Sequence, residues 1–187
     1  TCALPIFLAG IPAASPPPAS SRLLPGYGLA ILEATPAASP MAAALHFGSW
    51  THHSHRDQLN LLLFAHDNAL LSDVGYPEQT DAFNHRRYGI WSNTVAHNTV
   101  VVDARGQGRG RGVLHAFEPN GFAQVADASC QSYPQVSLYR RAVKMVDAGQ
   151  GERFVFDVFH VRGGRQHDWA LVGPPAEDSV ADSPSPP

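Results

Sequence analysis

Between His52 and Gln58 the chain sets His52, His53, His55 and Asp57 ahead of an apolar run, Leu59-Asn60-Leu61-Leu62-Leu63. Imidazole nitrogen and carboxylate oxygen are donors that a borderline-soft divalent ion such as zinc accepts, and a site with three protein ligands leaves a fourth position for water. Imidazole also titrates at about 6.5 when unperturbed, which suits proton transfer near neutrality. The cluster can therefore hold a metal, move a proton, or do both. Two later residues can complete it: Asp73, at the end of Leu70-Leu71-Ser72, and His97, where a polar segment enters Thr99-Val100-Val101-Val102.

The elements that must position these groups are β-strands. With 187 residues, 44% of them hydrophobic, the chain suffices for one domain with a core. Its 16 prolines and 16 glycines, beside only 16% charged residues, favour a turn-rich all-β fold over a helical one. A net charge of -3 argues against nucleic acid as the main partner, so a polyanion would need a local basic patch. Two cysteines, Cys2 and Cys130, make neither a disulfide framework nor a Cys-x-x-Cys metal knuckle. No apolar stretch approaches the roughly 20 residues that span a bilayer, so no membrane partner is expected.

Residues 1–25, rich in Ala, Pro and Ser, read as a linker or the remnant of an upstream region. The start lacks Met and a basic leader and reads as a broken end, not a signal peptide. A domain is expected over 26–172, followed by a disordered Pro/Ser-rich tail over 173–187. Strands are expected at 27–33, 41–47, 58–65, 69–72, 97–103, 113–117, 121–126, 136–146, 153–161 and 167–172. Short strands at such spacing suggest an antiparallel two-sheet β-sandwich, here incomplete. Ala104 to Gly112, with four glycines, reads as a flexible turn, and Tyr139-Arg140-Arg141 as a strand with its charges outward.

The polar turn His66-Asp67-Asn68 creates a difficulty for the metal hypothesis. A hairpin centred there puts Asp73 opposite Asn60 or Leu61, and His55 five or six residues further along its own strand. At about 3.3 Å per residue that exceeds ligand reach. A shared site requires residues 52–57 to curl back. The long polar loop over 76–95 carries Arg86 and Arg87 beside aromatics, which makes them the best candidates for substrate contact.

In several ordered pieces the chain resembles the C-terminal β-domain of the heparinase II/III-like polysaccharide lyases, a group that includes alginate and oligoalginate lyases. His-x-His-x-Asp stands at His53, His55 and Asp57, and Asp-x-Gly at Asp73 and Gly75. Ala96-His97-Asn98-Thr99 follows, then Val102-Asp103 with Gln107, then Tyr139-Arg140-Arg141. Asp157-Val158-Phe159 leads to Gly163-Gly164 and His167-Asp168-Trp169. The resemblance spans roughly 26–172.

The resemblance implies that His55, Asp73 and His97 hold a structural zinc ion and that His53 is a catalytic histidine; it assigns no role to Asp57 or Asn98. The implied function is β-elimination on a uronic-acid-containing polysaccharide. The partners it implies are that acidic polymer and an N-terminal α/α toroid of the same protein, absent from this chain. Export to the periplasm or beyond is expected on the same ground. One alternative is a non-catalytic, zinc-stapled carbohydrate-binding sandwich. A cupin-like metal oxygenase stands third, because no glutamate follows His55 where that chemistry would place one.

Overall fold

The computed structural model describes residues 20–34, 40–49, 55–75 and 87–174, with the side chains of Arg87 and Tyr88 excepted. Among these residues are eleven strands in three antiparallel sheets, none closed into a barrel. The first sheet is a five-stranded meander of β1 (Arg22–Leu24), β2 (Leu29–Ala34), β3 (Met41–His46), β4 (Asn60–Ala65) and β5 (Asn68–Leu71). The second runs β7 (Gly112–Glu118), β8 (Ala123–Cys130), β9 (Val136–Gly149) and β10 (Glu152–Gly163), each strand paired with the next. A third pair, β6 (Val100–Val102) and β11 (His167–Trp169), joins the middle of the chain to its end.

Period-two alternation explains how the two meanders meet. In β2, Ala30, Leu32 and Ala34 point inward, and in β3 Ala43 and Leu45 do so. They pack against Ala126 and Ala128 of β8 and Tyr139, Val143 and Met145 of β9, in one core that also holds Leu59, Leu61, Val100 and Val102. Each leucine buried there contributes roughly 1.5–3 kcal/mol. The result is the antiparallel sandwich expected from composition and spacing.

Several boundaries differ from the sequence reading, each for a local reason. The first sheet begins at Arg22, ahead of the change of pattern at Gly26, because Arg22, Leu23 and Leu24 pair with Ile31, Ala30 and Leu29. The strand expected at 97–103 is shorter: residues 97–99 leave the ladder to make side-chain and loop bonds, and β6 holds only Val100–Val102. The turn between β4 and β5 has His66 and Asp67 both at positive φ (52° and 64°), the pattern of a type I′ hairpin. The glycine-rich stretch before β7 is anchored rather than free, since Gln107 is buried within it and Gly108 N–H donates to Ser132 O at 2.8 Å.

The largest departure is Arg141. The strand over 136–146 is present, but the guanidinium points into the core with no exposed surface, whereas Arg140 turns out to Asp127. Tyr139 and Arg141 share parity with Val143 and Met145, so the strand that buries those residues must bury Arg141 as well.

Candidate metal centre

Residues 55–59 do not continue β4 as an extended strand. Asn60 N–H donates to Asp57 O at 3.0 Å, closing a turn in which Leu59 adopts φ +59°. A left-handed leucine costs about 1–2 kcal/mol. Burial of its side chain offsets that, and its N–H donates to His46 O at 2.8 Å. Arg56 N–H donates to Ser92 O at 3.1 Å, which draws the turn toward the segment leading to His97. The required curl is present over 55–59, and His55 returns to the end of the β4–β5 hairpin.

His55, Asp73 and His97 therefore converge. Asp73 Oδ2 lies 3.0 Å from His97 Nδ1, Asp73 Oδ1 lies 3.6 Å from His55 Nδ1, and the two imidazole centroids are 4.9 Å apart. One donor atom from each residue falls within 4.8 Å of the others. Two donors on a tetrahedral ion, each about 2.0–2.1 Å from it, stand about 3.4 Å apart, a separation that the two carboxylate–imidazole distances bracket. His97 is fully buried, and its Nε2 has no hydrogen-bond partner among the described residues. One ion cannot take both nitrogens of a ring; Nδ1 is the one turned to Asp73, so Nε2 calls for a partner of its own. The donor set fits a divalent metal ion.

Asp73 is held in place as well as charged. Its Oδ1 accepts the Gly75 N–H at 2.8 Å, and its Oδ2 lies 3.3 Å from Asn60 Nδ2, which donates to it. Burial alone would raise the carboxyl pKa, but hydrogen bonds from His97 and Gly75 N–H, with the two nearby imidazole charges, hold it below the ordinary value. The turn bond to Gly75 and the contacts with the histidines coexist.

Around the cluster stands a frame of buried polar groups that the motif alone does not explain. Asn98 uses its whole amide: Nδ2 donates to Ser72 O at 3.0 Å, and Oδ1 accepts from Val172 N–H at 2.6 Å. Its backbone N–H donates to Asn60 Oδ1 at 2.9 Å. Asn98 thus locks the residue after one ligand to the residue before another. Beneath it, Arg141 makes a two-bond fork with Asp157 at 2.9 and 2.6 Å and donates to Leu59 O at 2.7 Å and to Asn98 O. Its guanidinium lies over the rings of Phe159 (5.3 Å) and Trp169 (5.9 Å). Trp169 is half exposed and packs edge-on to Phe159.

Gln58 organises the other side of the curl. Its N–H donates to Gln107 Oε1 at 2.7 Å, and its carbonyl accepts from Thr99 Oγ1 at 3.0 Å and Gln107 Nε2 at 2.9 Å. Its side chain bonds Ser132 and Gly110 O. Asp57 has a partner that sequence distance hid: its Oδ2 lies 3.2 Å from His46 Nδ1. The pairing of His46 with Asn60 across β3 and β4 brings the two together.

Of the six residues singled out from sequence, His55, Asp73 and His97 meet. His53, Arg86 and the Arg87 side chain lie outside the described residues; the Arg87 backbone opens a helical turn, Arg87–Trp91. The third donor arrives from the far end of a hairpin, not from a glutamate just after His55, which separates this centre from the cupin-like alternative.

Residues 16–180 match the sequence model of the family described as Heparinase II/III-like, C-terminal. The chain is 30% identical to an alginate lyase of Stenotrophomonas maltophilia (strain K279a), over 60% of this chain and 17% of that protein. Among solved structures, a heparinase III, the BT4657 gene product, superposes with a TM-score of 0.76 at 19% identity, over 90% of this chain and 26% of its own. The heparan sulfate lyase HepC from Pedobacter heparinus does so with a TM-score of 0.63 at 18% identity, over 75% and 22%. The chain thus spans about a sixth to a quarter of the length of these relatives. With most of its length matched, from before β1 to beyond β11, the chain belongs to the heparinase II/III-like C-terminal domain family.

Proposed function

We propose that this chain is the β-domain of a polysaccharide lyase that cleaves uronic-acid-containing chains by β-elimination, with a structural zinc ion at His55, Asp73 and His97. The convergence of those three residues from separate segments carries the reading. The relatives' names, lyases of alginate and of heparan sulfate, support uronates as the substrate class. Bound zinc would cross-link the turn over 55–59, the end of the hairpin and the segment before β6. The carboxylate of Asp73 already stands at ion-pair distance from both imidazoles, the spacing that a bound ion would need.

The reaction must neutralise the uronate carboxylate, remove the proton beside it and protonate the departing glycosidic oxygen. His53 is assigned to proton transfer or charge neutralisation. It stands two residues before His55, so the chain allows at most about 7 Å between their Cα atoms. Arg86 and Arg87 are assigned to the sugar carboxylate, for which a guanidinium fork is suited. The opposing wall, with a further proton donor, would come from an N-terminal α/α toroid of a longer parent protein, exported to the periplasm or beyond. Alone, this chain has an open site and little lyase activity.

The test is metal analysis of the purified chain with His55→Ala and Asp73→Ala beside it, each followed through thermal unfolding. The expected result is near-stoichiometric zinc in the parent chain, lost in both variants together with a lower melting temperature, and the same shift on chelation. Absence of metal with unchanged melting would remove the zinc assignment. In the parent protein, His53→Ala should abolish release of unsaturated uronides. If that variant kept its rate while His55→Ala lost stability, the domain would be a non-catalytic zinc-stapled sandwich.

A further inference from the structure

Against His46 lies a cleft of about 420 Å³ that the reading above leaves unused. Its volume falls in the range of small-molecule sites, about 300–1,000 Å³. Three glycines shape it. A Cβ on Gly28 would stand 2.2 Å from Gly48 Cα, one on Gly48 2.2 Å from Tyr27 O, and one on Gly112 1.8 Å from Phe47 O. Only backbone without side chains lets these three segments meet, and Gly28 also needs its φ of +81°.

Three side chains with complementary chemistry face this glycine floor: Tyr27, His46 and Arg111. Arg111 is exposed, and no carboxylate among the described residues pairs with it. His46 turns Nδ1 to Asp57, leaving Nε2 beside Gly48, 2.8 Å from where a Cβ on that residue would stand. Burial alone would make the imidazole less basic, but the contact with Asp57 outweighs it and raises the pKa. Tyr27 is 69% exposed, and its ring lies 5.5 Å from the His46 ring at 32°, an open aromatic face in the same cleft as an imidazole and a guanidinium.

We propose that this cleft is a second saccharide subsite, which seats one acidic sugar unit with its carboxylate on Arg111 and His46 and its ring against Tyr27. The proposal rests on the lyase reading for its substrate class. Asp57 links the two places: it touches His46 and follows the metal-site residue His55 by two positions. A chain with a unit in this cleft would therefore run toward the metal centre, and the cleft would select for acidic sugars away from the bond that is cut. An aromatic face with a guanidinium fork suits an anionic sugar and gives a neutral one only the ring contact.

The test is a ¹H–¹⁵N titration of this chain with a β-1,4-mannuronate hexamer, an unsulfated glucuronate-containing hexamer of the heparan backbone, and neutral β-1,4-mannohexaose. Shifts at the Gly28, Gly48 and Gly112 amides are expected with at least one acidic hexamer and not with mannohexaose. Arg111→Gln and Tyr27→Ala should each weaken that binding about tenfold or more, with metal content and melting temperature unchanged. No shift at those amides with either acidic hexamer, equal response to mannohexaose, or wild-type binding by Arg111→Gln would each overturn the subsite. None of these outcomes touches the lyase reading, which falls instead if the parent protein releases no unsaturated uronide.

Discussion

Replacing Arg141 by methionine tests how the His55–Asp73–His97 cluster is supported from within. The guanidinium has no exposed surface, and its departure leaves Asp157 without its two-bond partner and Leu59 O without its donor. Breaking a buried ion pair from one side costs about 3–5 kcal/mol, because an uncompensated charge remains. Set against a typical domain stability of about 5–15 kcal/mol, that is a large fraction. For a domain near 150 residues each kcal/mol moves the melting temperature by about 2–4 °C, so a drop of roughly 6–20 °C is expected. Urea denaturation at constant m-value measures it directly. The double variant Arg141→Met with Asp157→Leu should recover most of the loss, since it removes both charges together. Arg141→Lys should recover little, because a point charge cannot reproduce the fork. A loss below about 1 kcal/mol in Arg141→Met, or no recovery in the double variant, would refute the assignment of Arg141 as the buried support of residues 59 and 98.

Two further outcomes follow from the electrostatics. Asp57 raises the His46 pKa above its ordinary 6.5, so the pair contributes fully below that value and its contribution is lost as pH rises through the folded pKa. An NMR titration of His46 should show a midpoint above 6.5, and His46→Gln should remove the corresponding pH-dependent part of stability; a midpoint at or below 6.5 would refute the pairing. Cys130 is 4% exposed, and burial pushes its thiol up to about 12, so in a Cys2→Ser background it should react with a disulfide reagent only as fast as the domain opens. Rapid labelling in native buffer would contradict that burial.

How far the sequence foretold this arrangement depends on the kind of signal each residue carries. Strands with clean alternation, such as β2 and β9, were legible because period two is written in the residues themselves. The ligand trio was legible as chemistry, and the hairpin at His66 and Asp67 placed Asp73 correctly against the start of β4. The curl over 55–59 was not legible, because the residue that makes it possible is a left-handed leucine where sequence rules look for glycine or asparagine. His46 with Asp57 could be found only from the register of β3 on β4. The inward Arg141 did have a signal, since Tyr139, Val143 and Met145 share its parity, and Asp157 sits on the inward parity of β10 with Val155 and Phe159. Charge argued for the surface and parity for the core, and parity prevailed because a partner carboxylate was already inside.

The same logic explains why so much of the interior near the site is polar. Gln58, Thr94, Asn98, Thr99, Gln107, Ser132 and Arg141 are all buried, beside apolar residues that are mostly Ala, Leu, Val and Tyr. An apolar set of the same volume could give equal or greater stability, since buried hydrogen bonds contribute only about 0.5–1.5 kcal/mol each. Apolar side chains would not, however, dictate where backbone groups lie. Gln107 fixes the N–H and, with Thr99, the carbonyl of Gln58 in the curl, Asn98 fixes Ser72 O and Val172 N–H, and Arg141 fixes Leu59 O. Each bond constrains a segment that carries or adjoins a ligand, and none is supplied by a strand ladder. Three segments with no regular structure of their own are thereby fixed relative to one another, as the second layer of bonds around a ligand set would do. The polar interior is the cost of gathering the His55, Asp73 and His97 side chains on turns instead of strands.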